Sequence, residues 1–334
     1  MSLEAPKLRH NRKELLLTSI TAWTYPGQGT QFVGMGEELA QVSKFAKTTY
    51  KKADEILGFP ISNISFAGPK EELDLTANTQ PAIFINSYIC EELLKRQNPD
   101  FRNKKMVAGH SLGEFNALVA SGALGFDETL WLVGERGKAM SKACSQNPGG
   151  MIALQLRETD QKLAEMMDRF SLEKSIVNGH EQTVLAGTVN NLERADKWRK
   201  DKGINGVRLV VEGAFHSSLM QPAVDDFSNA LNSVRIKPAK IPIVANTTAT
   251  LIKSPEEIRK ELVNQLTHPV LWKDSLVRMT QEGIGETIEI GEKGILSNMN
   301  LKVNGGEIER LKSFFRGVAI NFVVWRRQQA LQSS

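Results

Sequence analysis

Residues 107–124 read VAGHSLGEFNALVASGAL. The apolar run ending in Gly109 reads as a short strand, and the segment from Leu112 onward has helical spacing, so a sharp turn must fall at His110–Ser111. Strand, tight turn and helix in that order define an α/β body whose strand ends carry loops, and they set Ser111 on the turn itself. Gly109 and Gly113 flank the serine two residues away on each side, where missing side chains let strand and helix approach closely. Two readings of Ser111 follow from the residues alone. It is an N-cap hydroxyl accepting from a first-turn amide, or it is a nucleophile with the Leu112 amide aimed at the oxygen of an attacked acyl group.

The rest of the chain supplies more strands and helices in alternation. "SITAWTYPGQG" reads as a strand entering a glycine turn, and "VGMGEELAQVSKFAKTTYKKADEILG" as helix closed by Gly58. "TQPAIFINSYICEELLKRQN" reads as a helix with Pro81 in its first turn. The pattern shifts after "SQNPGG": strand, helix, two strands, helix and strand follow in order, the split β-α-β pattern of a ferredoxin-like unit. The expected organisation is a polar leader over 1–19, a discontinuous large α/β domain over 20–146 and 211–300, and a small ferredoxin-like subdomain over 147–210. A tail over 301–334 has weak periodicity and its packing stays open.

Composition removes several classes of function. The 334 residues carry 42 Lys plus Arg against 38 Asp plus Glu, without a dense basic block, which argues against nucleic-acid binding. Two cysteines, Cys90 and Cys144, form no C-x-x-C pair. That argues against a cysteine-rich metal site or disulfide framework and suits a reducing, cytoplasmic compartment. The first residues are too polar for a signal peptide, and "FFRGVAINFVVW" is too short and too polar to span a membrane. No metal and no cofactor is expected.

A serine hydroxyl needs a base to become a nucleophile, and the chain has five histidines. His10 lies in the polar leader. His110 adjoins the serine, so on a tight turn its ring points away from the hydroxyl and serves as a wall. His180 sits in a turn of the small unit, and His268 before Pro269 reads as a helix-end residue. His216, in "EGAFHSSLMQPA", lies between a strand end and a helix start, where an α/β scaffold displays functional groups; the competing reading is a packed or capped histidine. The loop "TYPGQGTQFVGMG" offers either a phosphate cradle, for which it lacks the GK[ST] ending, or the Gln28 amide as a second oxyanion donor.

These segments together resemble one family. "YPGQGTQFVGMG", "GHSLGEFNALVASGAL", "ERGKAM", "GAFHSSLM", "ANTT", "QLTHPVLW" and "IEIGEKGILSNM" are similar in sequence and order to the malonyl-CoA:acyl-carrier-protein acyltransferases, from about Trp23 to Met299. Phe115-Asn116 resembles the free-standing members that serve polyketide synthases. The resemblance implies an α/β-hydrolase-like domain with an inserted ferredoxin-like subdomain. It implies Ser111 as nucleophile, His216 as base, the Gln28 and Leu112 amides as oxyanion hole, and the Gln265 backbone carbonyl as the group orienting His216. On that reading the Gln265 side chain is replaceable with modest loss.

Arg136 matches the arginine that grips the malonyl carboxylate; without the family, an arginine beside Glu135 reads as a solvent-facing ion pair. Phe215 matches the bulky residue that excludes an α-methyl group, with core packing as the alternative. Asn178, Gln182 and Gly187 match cleft-wall positions. The implied substrates are malonyl-CoA and the phosphopantetheine thiol of an acyl carrier protein, with no nucleic acid and no membrane. The alternatives are a hydrolase clearing stalled acyl groups, a housekeeping malonyltransferase of fatty-acid synthesis, and an inactive scaffold. One departure from the family pattern is Glu292-Lys293, where Pro-Gly is usual; it is expected to alter the cleft rim.

Overall fold

The computed structural model describes residues 21–97, 104–302 and 312–317; the leader, with His10, lies outside them. Six strands form the main sheet: β1 (Thr21–Tyr25), β2 (Met106–Gly109), β7 (Ile243–Val244), β8 (Leu251–Ile252), β9 (Glu286–Gly291) and β10 (Lys312–Gly317). Their order is β10-β9-β1-β2-β7-β8, parallel throughout except for the β7–β8 pair. Period-two alternation sends successive residues to opposite faces. Trp23, Tyr25, Val107 and Ile243 enter one buried cluster, whereas Ala22, Met106, Ala108 and Val244 enter another. The sheet is therefore covered on both sides, as parallel sheets must be.

Helices α1 (Glu37–Val42), α2 (Lys44–Leu57), α3 (Ile61–Ala67), α4 (Lys70–Leu73) and α5 (Thr76–Gln97) separate β1 from β2. The expected first helix is divided at Ser43, which leaves helical geometry and caps α2 by accepting from the Ala46 N–H, while Gly58 closes α2 with φ 75°. Pro81 does not lie in a first turn. Helix α5 begins at Thr76, so the proline sits inside it, and a sequence rule that puts proline at a helix start misses this longer, tertiary-supported helix. After β2 come α6 (Gly113–Ser121) and α7 (Phe126–Gln146). Gly137 of α7 lies so close to α5 that an added Cβ would stand 2.9 Å from the Ala77 Cα.

The second sheet contains β3 (Gly149–Leu154), β4 (Glu173–Gly179), β5 (Gln182–Thr188) and β6 (Gly206–Arg208), in the order β4-β5-β3-β6, all antiparallel. Helices α8 (Gln161–Phe170) and α9 (Val189–Asp201) cover one face through Leu163, Met166, Leu192 and Trp198. This is the ferredoxin-like unit, carried on an α/β-hydrolase-like body as expected. The chain continues through α10 (Pro222–Asn232), α11 (Pro255–Asn264), α12 (Trp272–Gln281) and α13 (Ile295–Lys302). Part of the tail left open by sequence, Lys312–Gly317, forms the edge strand β10 beside β9.

The arrangement of β1 positions the site. Its two neighbours, β2 and β9, leave the chain order on opposite sides, and ligands of open α/β sheets bind beyond the carboxyl ends of strands at such a reversal. The segments leaving β1, β2, β7 and β9 carry Gln28, Ser111, Asn246 and Glu292.

Candidate active site

Ser111 has φ 51°, a left-handed backbone that a serine adopts only when its surroundings impose it. Those surroundings are specific. The Ser111 N–H donates to Asn246 Oδ1 at 2.7 Å, and Asn246 Nδ2 donates to the Gly109 carbonyl at 2.7 Å, so one amide side chain ties both arms of the turn. A Cβ on Gly109 would stand 1.8 Å from the Gly113 carbonyl carbon, and one on Gly113 would stand 2.1 Å from the Tyr25 oxygen. Only glycines permit this elbow.

The elbow hydroxyl meets an imidazole. Ser111 Oγ lies 2.8 Å from His216 Nε2, and His216 Nδ1 lies 2.6 Å from the Gln265 backbone oxygen. A carbonyl only accepts, so Nδ1 carries the proton and Nε2 presents its lone pair to the serine. His216 also has positive φ, 57°, and is buried. Burial, followed by the charge of Arg136, pushes its imidazole down to about 3. The resting ring is therefore neutral and able to accept a proton.

Arg136 projects from α7 and is 1% exposed, so it is not the solvent-facing ion pair that its neighbour Glu135 suggests. Its Nη1 donates to Gln80 Oε1 at 2.7 Å, and its Nη2 to Gln265 Oε1 at 2.8 Å and to Ser111 Oγ at 3.4 Å. None of these partners is a carboxylate. Burial lowers the guanidinium to about 10, which still leaves it charged at neutral pH. A buried cation bonded to two neutral amides and a hydroxyl has the chemistry to receive an anionic group.

The first glycine loop packs on the elbow backbone to backbone, because a Cβ on Gly27 would stand 2.4 Å from the His110 oxygen. That contact sets the residue before Gln28 against the residue before Ser111, and Leu112 follows Ser111 at the start of α6. The His110 ring engages Asn178 and Trp272. Its Nε2 lies 3.0 Å from Asn178 Oδ1, its ring packs edge-on against Trp272, and Asn178 Nδ2 donates to Gln182 Oε1 at 3.0 Å. The elbow thus touches the small subdomain through Asn178. Phe215 is buried immediately before His216, and its carbonyl accepts from Ser175 Oγ at 2.8 Å.

Among the described residues two further histidines bond elsewhere or lie in other elements: His180 occupies the β4–β5 turn, and His268 follows α11 and bonds to the Asn264 carbonyl. Glu292 accepts from the Gly36 N–H at 3.1 Å and Lys293 lies 3.9 Å from the Phe32 ring centroid, so this dipeptide ties the end of β9 to the loop after Gln28. Among the described residues no three His, Cys, Asp or Glu side chains converge to hold a metal ion, and no helix is long and apolar enough to cross a membrane.

Gln80, Glu114 and Asn246 carry no local sequence signal for these contacts, and the side chain of Gln265, expected to be replaceable, bonds to Arg136 and Glu114. "ANTT" and the glutamate after "GHSLG" were visible, but their partners lie 132 to 151 positions away.

Residues 22–300 match the acyl transferase domain family, and the chain belongs to that family. It is 37% identical over 291 residues to the malonyl CoA-acyl carrier protein transacylase of Bacillus subtilis (strain 168), covering 85% of this chain and 90% of that one. It is 34% identical over 291 residues to the polyketide biosynthesis protein ThaF of Burkholderia thailandensis, covering 85% of this chain but 24% of that longer protein. Among solved structures, the complex of a type II PKS acyl-carrier protein with its malonyl-transacylase, PlMCAT:AntF, superimposes with TM-score 0.83 at 29% identity, covering 90% of this chain and 98% of that one. FabD from Acinetobacter baumannii gives TM-score 0.80 at 32% identity, covering 89% and 94%.

Proposed function

We propose that this acyltransferase moves a malonyl group from malonyl-CoA to the phosphopantetheine thiol of an acyl carrier protein through an ester on Ser111. The observation that carries the reading is the shared position of Ser111 Oγ, 2.8 Å from His216 Nε2 and 3.4 Å from Arg136 Nη2. His216 takes the hydroxyl proton as Oγ attacks the thioester carbonyl, and coenzyme A leaves with that proton. The amides of Gln28 and Leu112 stabilise the oxyanion, the latter helped by the N-terminal dipole of α6. Arg136 holds the free carboxylate of the malonyl unit, and Phe215 crowds the position of an α-methyl group. The carrier thiol then enters and the steps reverse.

A carboxylate receptor one hydrogen bond from the nucleophile favours transfer of a dicarboxylic acyl group over clearance of neutral ones, which gain nothing from a buried cation. The acceptor we favour is a carrier protein of a polyketide synthase, supported by the similarity to ThaF and to the transacylase paired with a type II PKS carrier. The fatty-acid reading is supported by the Bacillus subtilis transacylase. Malonyl transfer from the loaded enzyme to a panel of polyketide and fatty-acid holo carrier proteins separates them. Preference for the fatty-acid carriers would reverse the acceptor assignment.

A further inference from the structure

Glu114 stands in the first turn of α6, three residues after Ser111, and is 1% exposed. Its two oxygens face different parts of the site. Oε1 accepts from the Asn246 N–H at 3.2 Å, on the residue that ties the elbow, and Oε2 accepts from Gln265 Nε2. Burial, followed by the nearby Glu261, raises the Glu114 carboxyl well above the usual carboxylate range, while the donated N–H groups and Arg136 act in the opposite sense.

The Gln265 amide is consequently held by its nitrogen end. Nε2 donates to Glu114 and to the Ser111 carbonyl at 3.1 Å, which leaves Oε1 to face Arg136. An amide with its nitrogen committed to two acceptors cannot reverse without placing its carbonyl oxygen against them. The direction matters because a guanidinium only donates. A reversed Gln265 would set an NH2 group against Arg136 Nη2 in a buried site.

We propose that Glu114 is a positioning residue for the acyl carboxylate: it fixes the orientation of the Gln265 amide, which in turn holds Arg136 Nη2 beside Ser111 Oγ. The proposal rests on the malonyl-transfer reading. Gln265 then has two separate duties, its backbone orienting the base and its side chain orienting the receptor.

The test compares loading of malonyl-CoA and acetyl-CoA, followed by rapid-quench intact mass, in wild type, Glu114→Gln, Gln265→Met and the double variant. Glutamine at position 114 keeps one acceptor for the Asn246 N–H and turns an NH2 group on Gln265, reversing it. The malonyl-to-acetyl ratio of loading rates is expected to fall about tenfold in each single variant, as for loss of one hydrogen bond to a charged group. It should fall no further in the double variant, because the two residues form one chain of contacts. A ratio within about twofold of wild type in Glu114→Gln, or a double variant showing the product of the single effects, overturns the proposal. If thermal melts show that Glu114→Gln does not fold, Gln265→Met decides alone: it keeps the backbone carbonyl under His216, and an unchanged ratio overturns the proposal. Failure of the wild type to load malonyl removes the transfer reading and this proposal together. Normal wild-type loading with unchanged ratios removes the proposal only.

Discussion

His216 Nδ1 lies 2.6 Å from the backbone oxygen of Gln265, and that carbonyl occupies the position where many serine enzymes place a carboxylate. A carbonyl orients the ring and selects its tautomer without supplying a negative charge. The bond to it raises the imidazole too little to offset burial and the Arg136 cation, which bring it down to about 3. On the proposed reading, an arriving malonyl carboxylate neutralises that cation and makes the base stronger where it is needed.

The pH dependence of loading follows from this. A depressed pKa keeps the imidazole neutral as pH falls through the ordinary histidine range near 6.5, and activity is lost only toward the lowered value. The acid limb of kcat/KM for malonyl-CoA, which reports the free enzyme, should therefore lie well below about 6. In Arg136→Ala the acid limb should move upward. A wild-type limb near 6.5 that does not respond to the substitution would contradict the electrostatic account.

Arg136→Ala should depress malonyl loading by about 100-fold, the scale of lost charge-assisted hydrogen bonds in a buried site, while acetyl loading falls far less or rises. Parallel single-turnover assays with the two thioesters measure it. Equal losses on both would mean that the arginine supports the fold and does not select the acyl group.

Phe215→Ala should raise the ratio of methylmalonyl to malonyl loading by about tenfold, within the roughly 1–3 kcal/mol that excluding one methyl group is worth. Competition between the two thioesters, read by intact mass, gives the ratio directly. An unchanged ratio would leave Phe215 as a packing residue.

Gly113→Ala probes the elbow itself. The added Cβ would stand 2.1 Å from the Tyr25 oxygen and 2.8 Å from the Pro26 oxygen, both backbone atoms. Either the segment leaving β1 or the start of α6 must then shift. Stability should fall by about 1–3 kcal/mol in a urea titration, and loading should fall further than the fraction of unfolded protein accounts for. Wild-type loading in this variant would show that the close approach is not needed.

Much of the architecture could be read from local pattern. The alternation of apolar strands with amphipathic helices defines the α/β class, and the β-α-β-β-α-β run defines the small unit, because both depend on periodicity over short distances. Ser111 and His216 also had local signals, the flanking glycines and the strand-end position. Edge strand β10 lacks such a signal, since its pairing uses backbone groups and needs the neighbouring strand to exist first. The links among Glu114, Asn246, Gln265 and Arg136 were hidden for a related reason. Each joins residues from distant segments, and a buried glutamate or glutamine looks identical in sequence to an exposed one until its partners are assembled.

Wild-type protein incubated with malonyl-CoA, desalted and mapped by tandem mass spectrometry tests covalent transfer most directly. One malonyl ester should appear on Ser111, be absent from Ser111→Ala, and discharge onto a holo carrier protein. A folded protein that stays unmodified, carries the group on another residue, or releases malonate to water as fast without a carrier as with one would contradict it.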